Sequence, residues 1–229
     1  MTNAEFDEFA ENYEEALGPG LAWSGEGKDY FAERRVQWLA QKLAGLRVDA
    51  RRVMDFGCGT GTATPFLREI LGAETIIGVD VSPRSLEVAR RSYPFEGVRF
   101  LTNDNYAPSG DLDLVYCNGV FHHIPPGERA SAVGYVYRSL RPGGVFALWE
   151  NNPWNPAMMA MMRLAPVDRN AVTLNPPESR ALLRAGGLEV REASFMFLFP
   201  KLLGPLRALE PRLSSLPLGA QYLTLAIKH

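Results

Sequence analysis

The run Val53-Met54-Asp55-Phe56-Gly57-Cys58-Gly59-Thr60-Gly61-Thr62 constrains this chain more than any other stretch. Its first half has the apolar character of a buried strand, and three glycines at alternate positions follow at once. Glycines so spaced let the backbone bend tightly and let a ligand lie close against it. The threonine-rich segment beyond them can open a helix, whose first N–H groups lack partners within the helix and would face the same ligand. Asp55, just before the first glycine, then selects the ligand's charge. A carboxylate at this turn repels a pyrophosphate and attracts a cationic group.

S-adenosylmethionine, which carries an ammonium and a sulfonium, meets that condition. The run resembles motif I of the class I methyltransferases, in which a hydrophobic strand leads through Asp or Glu into x-Gly-x-Gly-x-Gly. Three further stretches extend the resemblance in the right order. Thr75-Ile76-Ile77-Gly78-Val79-Asp80-Val81-Ser82-Pro83 is a second apolar strand ending in an acid. That acid lies about 20 residues beyond the glycines, the spacing at which a carboxylate meets ribose hydroxyls. Ser82-Pro83 has the form of a helix start, a serine cap followed by proline at the first helical position. Val98-Arg99-Phe100-Leu101-Thr102-Asn103-Asp104-Asn105 follows, and the resemblance places Asp104 and Asn105 at the adenine. Finally Asp111–Asn118 and then Gly119-Val120-Phe121-His122-His123-Ile124 match the fourth strand and paired histidines of the small-molecule (type 11-like) branch. Arg141-Pro142-Gly143-Gly144 and Val145–Glu150 match the next turn and strand. The resemblance is strong over about residues 50–150 and looser elsewhere.

What the resemblance implies is an α/β fold. It has a seven-stranded, mostly parallel Rossmann-like sheet with helices on both faces, a last antiparallel strand and an N-terminal helical cap. The pattern agrees with it. From residue 50 strand and helix signals alternate, with helices expected near 62–71, 83–92 and 127–140. Asn175-Pro176-Pro177-Glu178 reads as another capped helix start, Gly186-Gly187 as its end. Leu188–Phe199 and Gln221–Lys228 read as the final strands. Before the sheet, Thr2-Asn3-Ala4-Glu5 looks like a capping box for a helix bearing Phe6, Phe9, Ala10, Tyr13 and Leu17, stopped by Gly18-Pro19-Gly20. A second helix from about Asp29 turns Phe31, Trp38, Leu39, Leu43 and Leu46 toward the core. No Pro/Gly/Ser linker or repeat divides the chain, so one domain of 229 residues is expected: a cap over 1–49, a cofactor-binding core over 50–150, and a substrate-side insertion with the C-terminal strands over 151–229.

Composition excludes more than it identifies. A net charge of −2 leaves no electrostatic footprint for nucleic acid. The paired arginines are scattered, and no apolar run approaches the ~18 residues of a membrane span. Asn151-Asn152-Pro153-Trp154 lies after the wrong strand and has too few prolines for the signature of DNA amino-methylating enzymes. Two cysteines, Cys58 and Cys117, have no metal-ligand spacing, and no metal is expected. With no signal sequence, they suggest a reducing cytoplasm.

The resemblance places the cofactor against Asp55, Gly57, Cys58, Gly59 and Gly61, against Asp80 and Val81, and against Asn118. Tyr13 or Arg34, from the N-terminal helices, would close over its carboxylate. S-adenosylhomocysteine would be the product. Methyl transfer is an in-line displacement that needs a positioned nucleophile, and a base only where the acceptor must lose a proton. His122 and His123 are the candidate bases, with His123 favoured as the residue farther from the strand end. Trp154, Met158 and Met162 form the expected substrate wall, which suits a small, fairly apolar acceptor bound at O, N or C. A homodimer is the assembly considered. Two other readings compete: a cofactor-binding partner subunit without transfer activity, and an NAD-dependent oxidoreductase. Asp55, and Thr62 where a third fingerprint glycine would stand, count against the second.

Overall fold

The computed structural model describes Asp7 and residues 24–229. The expected first helix, its capping box and Tyr13 lie outside the described residues.

A helix Lys28–Leu46 (α1) leads into β1 (Arg52–Phe56). Then come α2 (Thr64–Leu71), β2 (Thr75–Asp80), α3 (Pro83–Ser92) and β3 (Val98–Thr102). The second half runs β4 (Leu112–Asn118), α4 (Arg129–Ser139), β5 (Leu140–Asn151), α5 (Pro156–Leu164), α6 (Pro176–Ala185), β6 (Leu188–Met196), α7 (Glu210–Leu213) and β7 (Gln221–Lys228). The seven strands form one sheet in the order β3-β2-β1-β4-β5-β7-β6. Pairing is parallel from β3 to β5, and β7 runs antiparallel to both of its neighbours. The expected seven-stranded sheet is therefore present, antiparallel last strand included.

The helix starts follow from local chemistry. At α3 the Ser82 hydroxyl accepts from the Ser85 N–H at 3.1 Å, and Pro83 has no N–H to leave unpaired. At α6 Asn175 and Glu178 bond reciprocally, side chain to backbone, in a full capping box. Asn155 caps α5 with its side chain alone, accepting from the Met158 N–H at 2.9 Å.

Strand residues alternate between two buried layers, because successive side chains point to opposite faces. Val53, Leu114, Tyr116, Val145, Ala147, Trp149, Leu223 and Leu225 meet Val36, Leu39, Leu43 and Leu67 of α1 and α2. Met54, Val115, Cys117, Phe146, Leu148 and Ala226 meet Val133, Val136 and Leu183 of α4 and α6. Of the apolar residues expected on α1, Trp38, Leu39 and Leu43 are buried, while Phe31 and Leu46 are half-buried. Phe31 packs edge-on against Phe197 at 5.0 Å.

Two departures concern the end of β6 and the chain beyond it. β6 stops at Met196, short of the expected Phe199, because Phe197 takes a left-handed conformation (φ 64°). The segment beyond it forms a 3-10 stretch (Lys201–Leu209) and α7. It is tied back by the buried Glu210 carboxylate, which accepts from the Leu198 and Phe199 N–H groups at 3.0 and 3.2 Å.

Two left-handed glycines separate strain from clash. A Cβ on Gly97 (φ 80°) would stand 2.2 Å from the Glu74 carbonyl oxygen, whereas one on Gly72 (φ 69°) would meet open space. Gly72→Ala should lose only the conformational strain, about 1–2 kcal/mol. Gly97→Ala must in addition push two backbone segments apart, and should lose at least about 1 kcal/mol more in urea unfolding. Equal losses would show that the Gly97 turn gives way freely.

Candidate functional site

β1 lies between β2 and β4, and the order of strands reverses there. Ligands of open parallel sheets bind outside the carboxyl ends of the strands at such a point. A cavity of about 440 Å³ opens there, lined by the loop after β1, the loop after β4, the inner side of α1, the methionines of α5, and Phe197–Pro200.

The glycine loop is held from behind. The Val79 carbonyl accepts from the N–H groups of Gly57 and Cys58 at 2.8 and 3.0 Å. One Asp80 oxygen accepts from Gly59 N–H at 2.8 Å, the other from Ser82 N–H at 2.9 Å. Asp80 is thus the anchor of the glycine turn as well as the acid at the end of β2. Gly57 (φ 72°) has no alternative residue, since a Cβ there would lie 2.3 Å from Val120. Gly59 (φ 51°) faces open space. Gly61 departs from expectation: it does not line the cavity, and a Cβ there would press on Tyr93, Ala89 and Phe100. Its role is close packing of α3 and β3 against the turn.

Asp55 lines the cavity and is buried. Burial, and then the negative Asp80, raise its pKa to about 7, with Arg35 opposing them. Burial also pushes the Cys58 thiol well up, so it is no ready nucleophile. Arg35, which sequence reasoning missed, is the α1 arginine that reaches the cavity. It donates to the Tyr116 hydroxyl at 3.2 Å and to the Gln221 side-chain oxygen at 2.8 Å. Arg34, one residue earlier and about 100° round the helix, bonds Gln37 on its own helix and does not line the cavity. The Asn118 side-chain oxygen is buried without a hydrogen-bond partner among the described residues.

At the other end stand the paired histidines. His122 is buried and its Nδ1 lies 2.6 Å from the Glu150 carboxylate. The second Glu150 oxygen accepts from Val120 and Phe121 N–H at 3.1 and 2.8 Å. Asp168, in a short 3-10 turn Pro166–Asp168, places Oδ1 3.4 Å from His122 Nε2 and 3.5 Å from His123 Nε2. Burial works against a charge on His122, but Glu150 and Asp168 outweigh it and raise the pKa to about 10. Burial and the neighbouring His122 charge lower His123 to about 3. Both ring nitrogens of His122 face carboxylates, which removes it as a base for an acceptor. Glu150 and Asp168 had no signal in the sequence; each finds its partners only through the fold.

The remaining expected residues divide. Met158 and Met162 line the cavity, joined by Met161. Trp154 does not: it is half exposed and stacks on Phe195, its ring centroid 6.4 Å away. The Asn152 side chain fixes that turn by accepting from Trp154 N–H, which leaves the indole outside the α5 wall. Asp104 and Asn105 are exposed on the 3-10 turn after β3, and Val81 is exposed after β2; none of the three lines the cavity. Among the described residues no helix is long and apolar enough to cross a membrane.

A methyltransferase domain model matches residues 53–144. The chain is 34% identical over 169 residues to trans-aconitate 2-methyltransferase of Methylobacterium nodulans, covering 72% of this chain and 61% of that protein. It is 31% identical over 148 residues to an uncharacterised methyltransferase of Synechocystis, covering 62% of this chain and 69% of that one. The chain spans somewhat over half the length of the trans-aconitate methyltransferases it matches. Among solved structures, an S-adenosylmethionine-dependent methyltransferase of Thermotoga maritima superposes with a TM-score of 0.67 at 18% identity, covering 99% of both chains. That likeness concerns the fold.

The raised Asp55 pKa makes the ligand-free protein sensitive to pH. Below about pH 4 both folded and unfolded chains are protonated there, and the stability is complete. As the pH rises toward 7, the unfolded chain releases its proton while the folded chain still holds it, so stability drains away. The full loss is on the order of 4 kcal/mol for a shift of this size. Asp55→Asn should therefore unfold at higher urea than the parent at about pH 8, with the advantage shrinking toward about pH 4. An advantage independent of pH would mean that Asp55 is ionised throughout.

Proposed function

Because the chain belongs to the class I S-adenosylmethionine-dependent methyltransferases, we propose that it transfers a methyl group from that cofactor to a small molecule held in the cavity. The observation that carries the reading is the buried Asp55 beside an open glycine turn, at one end of the cavity. The residues present suit the group. Asp55 offers a carboxylate to its cationic part, the unpartnered Asn118 oxygen offers an acceptor to an ammonium, and the space over Gly59 admits it. Arg35, in place of Arg34, is the cation suited to its carboxylate, and Asp80 to its ribose. Asp80, Val81, Asp104 and Asn105 all stand outside the cavity lining, and the last three are proposed to border the adenine.

Bound there, the cofactor supplies an electrophilic methyl on a sulfonium. The protein's part is positioning and exclusion of water. Met158, Met161 and Met162 with Phe197 give an adaptable apolar wall. Holding the acceptor against the glycine-loop end is worth up to ~7–11 kcal/mol in well-oriented systems. His123 is proposed as an acceptor-side residue, since it lines the cavity and its partner His122 is taken up by Glu150 and Asp168. A small-molecule acceptor is supported by the relatives named for trans-aconitate. A reducing cytoplasm is proposed from the two buried free cysteines.

Calorimetry with S-adenosylmethionine or its demethylated product should give a micromolar or tighter Kd, and NAD should hardly bind. The reverse order would sink the assignment. Asp80→Ala should weaken cofactor binding by roughly tenfold or more, because it removes the ribose acceptor and frees the Gly59 N–H.

The His123 assignment separates from this. His123→Ala should lower turnover by ~10²-fold or more with the cofactor Kd unchanged. A parallel loss of cofactor affinity would place the ring on the cofactor side instead.

A further inference from the structure

We infer that His122, His123 and Asp168 form a binding site for a divalent transition-metal cation at the acceptor end of the cavity, with Glu150 supporting it from behind. All three residues line the cavity, and their ligand atoms lie within 4.8 Å of one another. The Asp168 oxygen stands 3.4 Å from His122 Nε2 and 3.5 Å from His123 Nε2. Two ligands each about 2.0–2.1 Å from one zinc ion at a tetrahedral angle are about 3.3–3.4 Å apart, a spacing that both Asp168–histidine pairs already approach. Two imidazoles and one carboxylate facing a cavity leave coordination positions open, the mark of a catalytic rather than a structural site.

Glu150 is the independent observation. Metal-bound histidines almost always donate their other ring N–H to a carboxylate or carbonyl, which fixes tautomer and orientation. Glu150 holds His122 Nδ1 at 2.6 Å and is itself fixed by two backbone N–H groups, so His122 Nε2 turns toward Asp168. A ring nitrogen aimed at the partly buried Asp168 carboxylate needs a positive group between them. A proton meets that need with one charge against the two carboxylates. A divalent cation balances both and engages His123 as well.

The consequence for the acceptor rests on the proposed methyl transfer. An open position on such a cation takes an oxygen, carboxylate or hydroxyl, so the acceptor class is a small oxygen-chelating molecule whose apolar part lies on the methionine wall. The site itself is tested without cofactor or acceptor. Tag-free, chelator-treated protein is titrated with Zn²⁺ by calorimetry and with Co²⁺ by visible absorption. One cation per chain with a Kd of micromolar or tighter is expected, together with a Co²⁺ d–d band. His123→Gln and Asp168→Asn should each weaken binding at least tenfold, and Glu150→Gln by about 10–100-fold. Circular dichroism confirms that each variant is folded. No uptake by the parent protein, or uptake unchanged in the folded His123→Gln and Asp168→Asn variants, overturns the site. Metal uptake without binding of S-adenosylmethionine would overturn the proposed function and leave the site standing; the converse result would do the opposite.

Discussion

A carboxylate buried at the end of a central strand cannot turn to water, and the Glu150 side chain organises everything around it. Its partners are the N–H groups of Val120 and Phe121 and the ring of His122, all from the loop after β4. An unpaired charge at that depth would be prohibitive, so the loop has one arrangement rather than several. That arrangement puts Val120 against Gly57, with no room for a Cβ between them. The glycine turn after β1 and the histidine loop after β4 are therefore braced on one another through a single buried anion.

The fold was legible because each of its signals is local. Strand alternation, proline at the first helical position, the Ser82 cap and the Asn175–Glu178 box each act within four residues, and each occurs where the pattern places it. The helix expected near 83–92 is α3, and the final strand expected at 221–228 is β7. The early end of β6 was not legible. It depends on Phe197 accepting a left-handed conformation while packed on Phe31, and on Glu210 tying the following backbone from twelve residues away.

The site was legible in proportion to how much of it is backbone. Gly57, Gly59 and Asp55 follow from the turn they build. Arg34 and Arg35 cannot be told apart by composition, only by helix phase against a sheet whose position the sequence does not state. Trp154 is aromatic and lies in the right segment, yet Asn152 directs it onto Phe195 at the surface. Asp168 lies 45 residues beyond His123 in the chain, in a segment with no periodicity, and the two meet only because α5 returns the chain over the cavity.

The sheet register explains why the two ends of the cavity are within reach of each other. β1 and β4 are parallel neighbours with Asp55 opposite Tyr116, so Gly57 and Asn118 leave the sheet side by side, one strand spacing apart. A ligand bound on the first loop is then next to whatever the second loop holds, and no domain movement is needed to bring them together. Slipping β4 by one residue would point Tyr116 away from Arg35 and send Cys117 into the cavity face, while Leu114 and Val115 exchanged layers. The buried pairing of Arg35 with Tyr116 and the apolar layers on both faces oppose such a slip. The same alternation that stabilises the core therefore sets the distance between the Asp55 end and the His123 end, and with it the geometry available for the proposed in-line transfer.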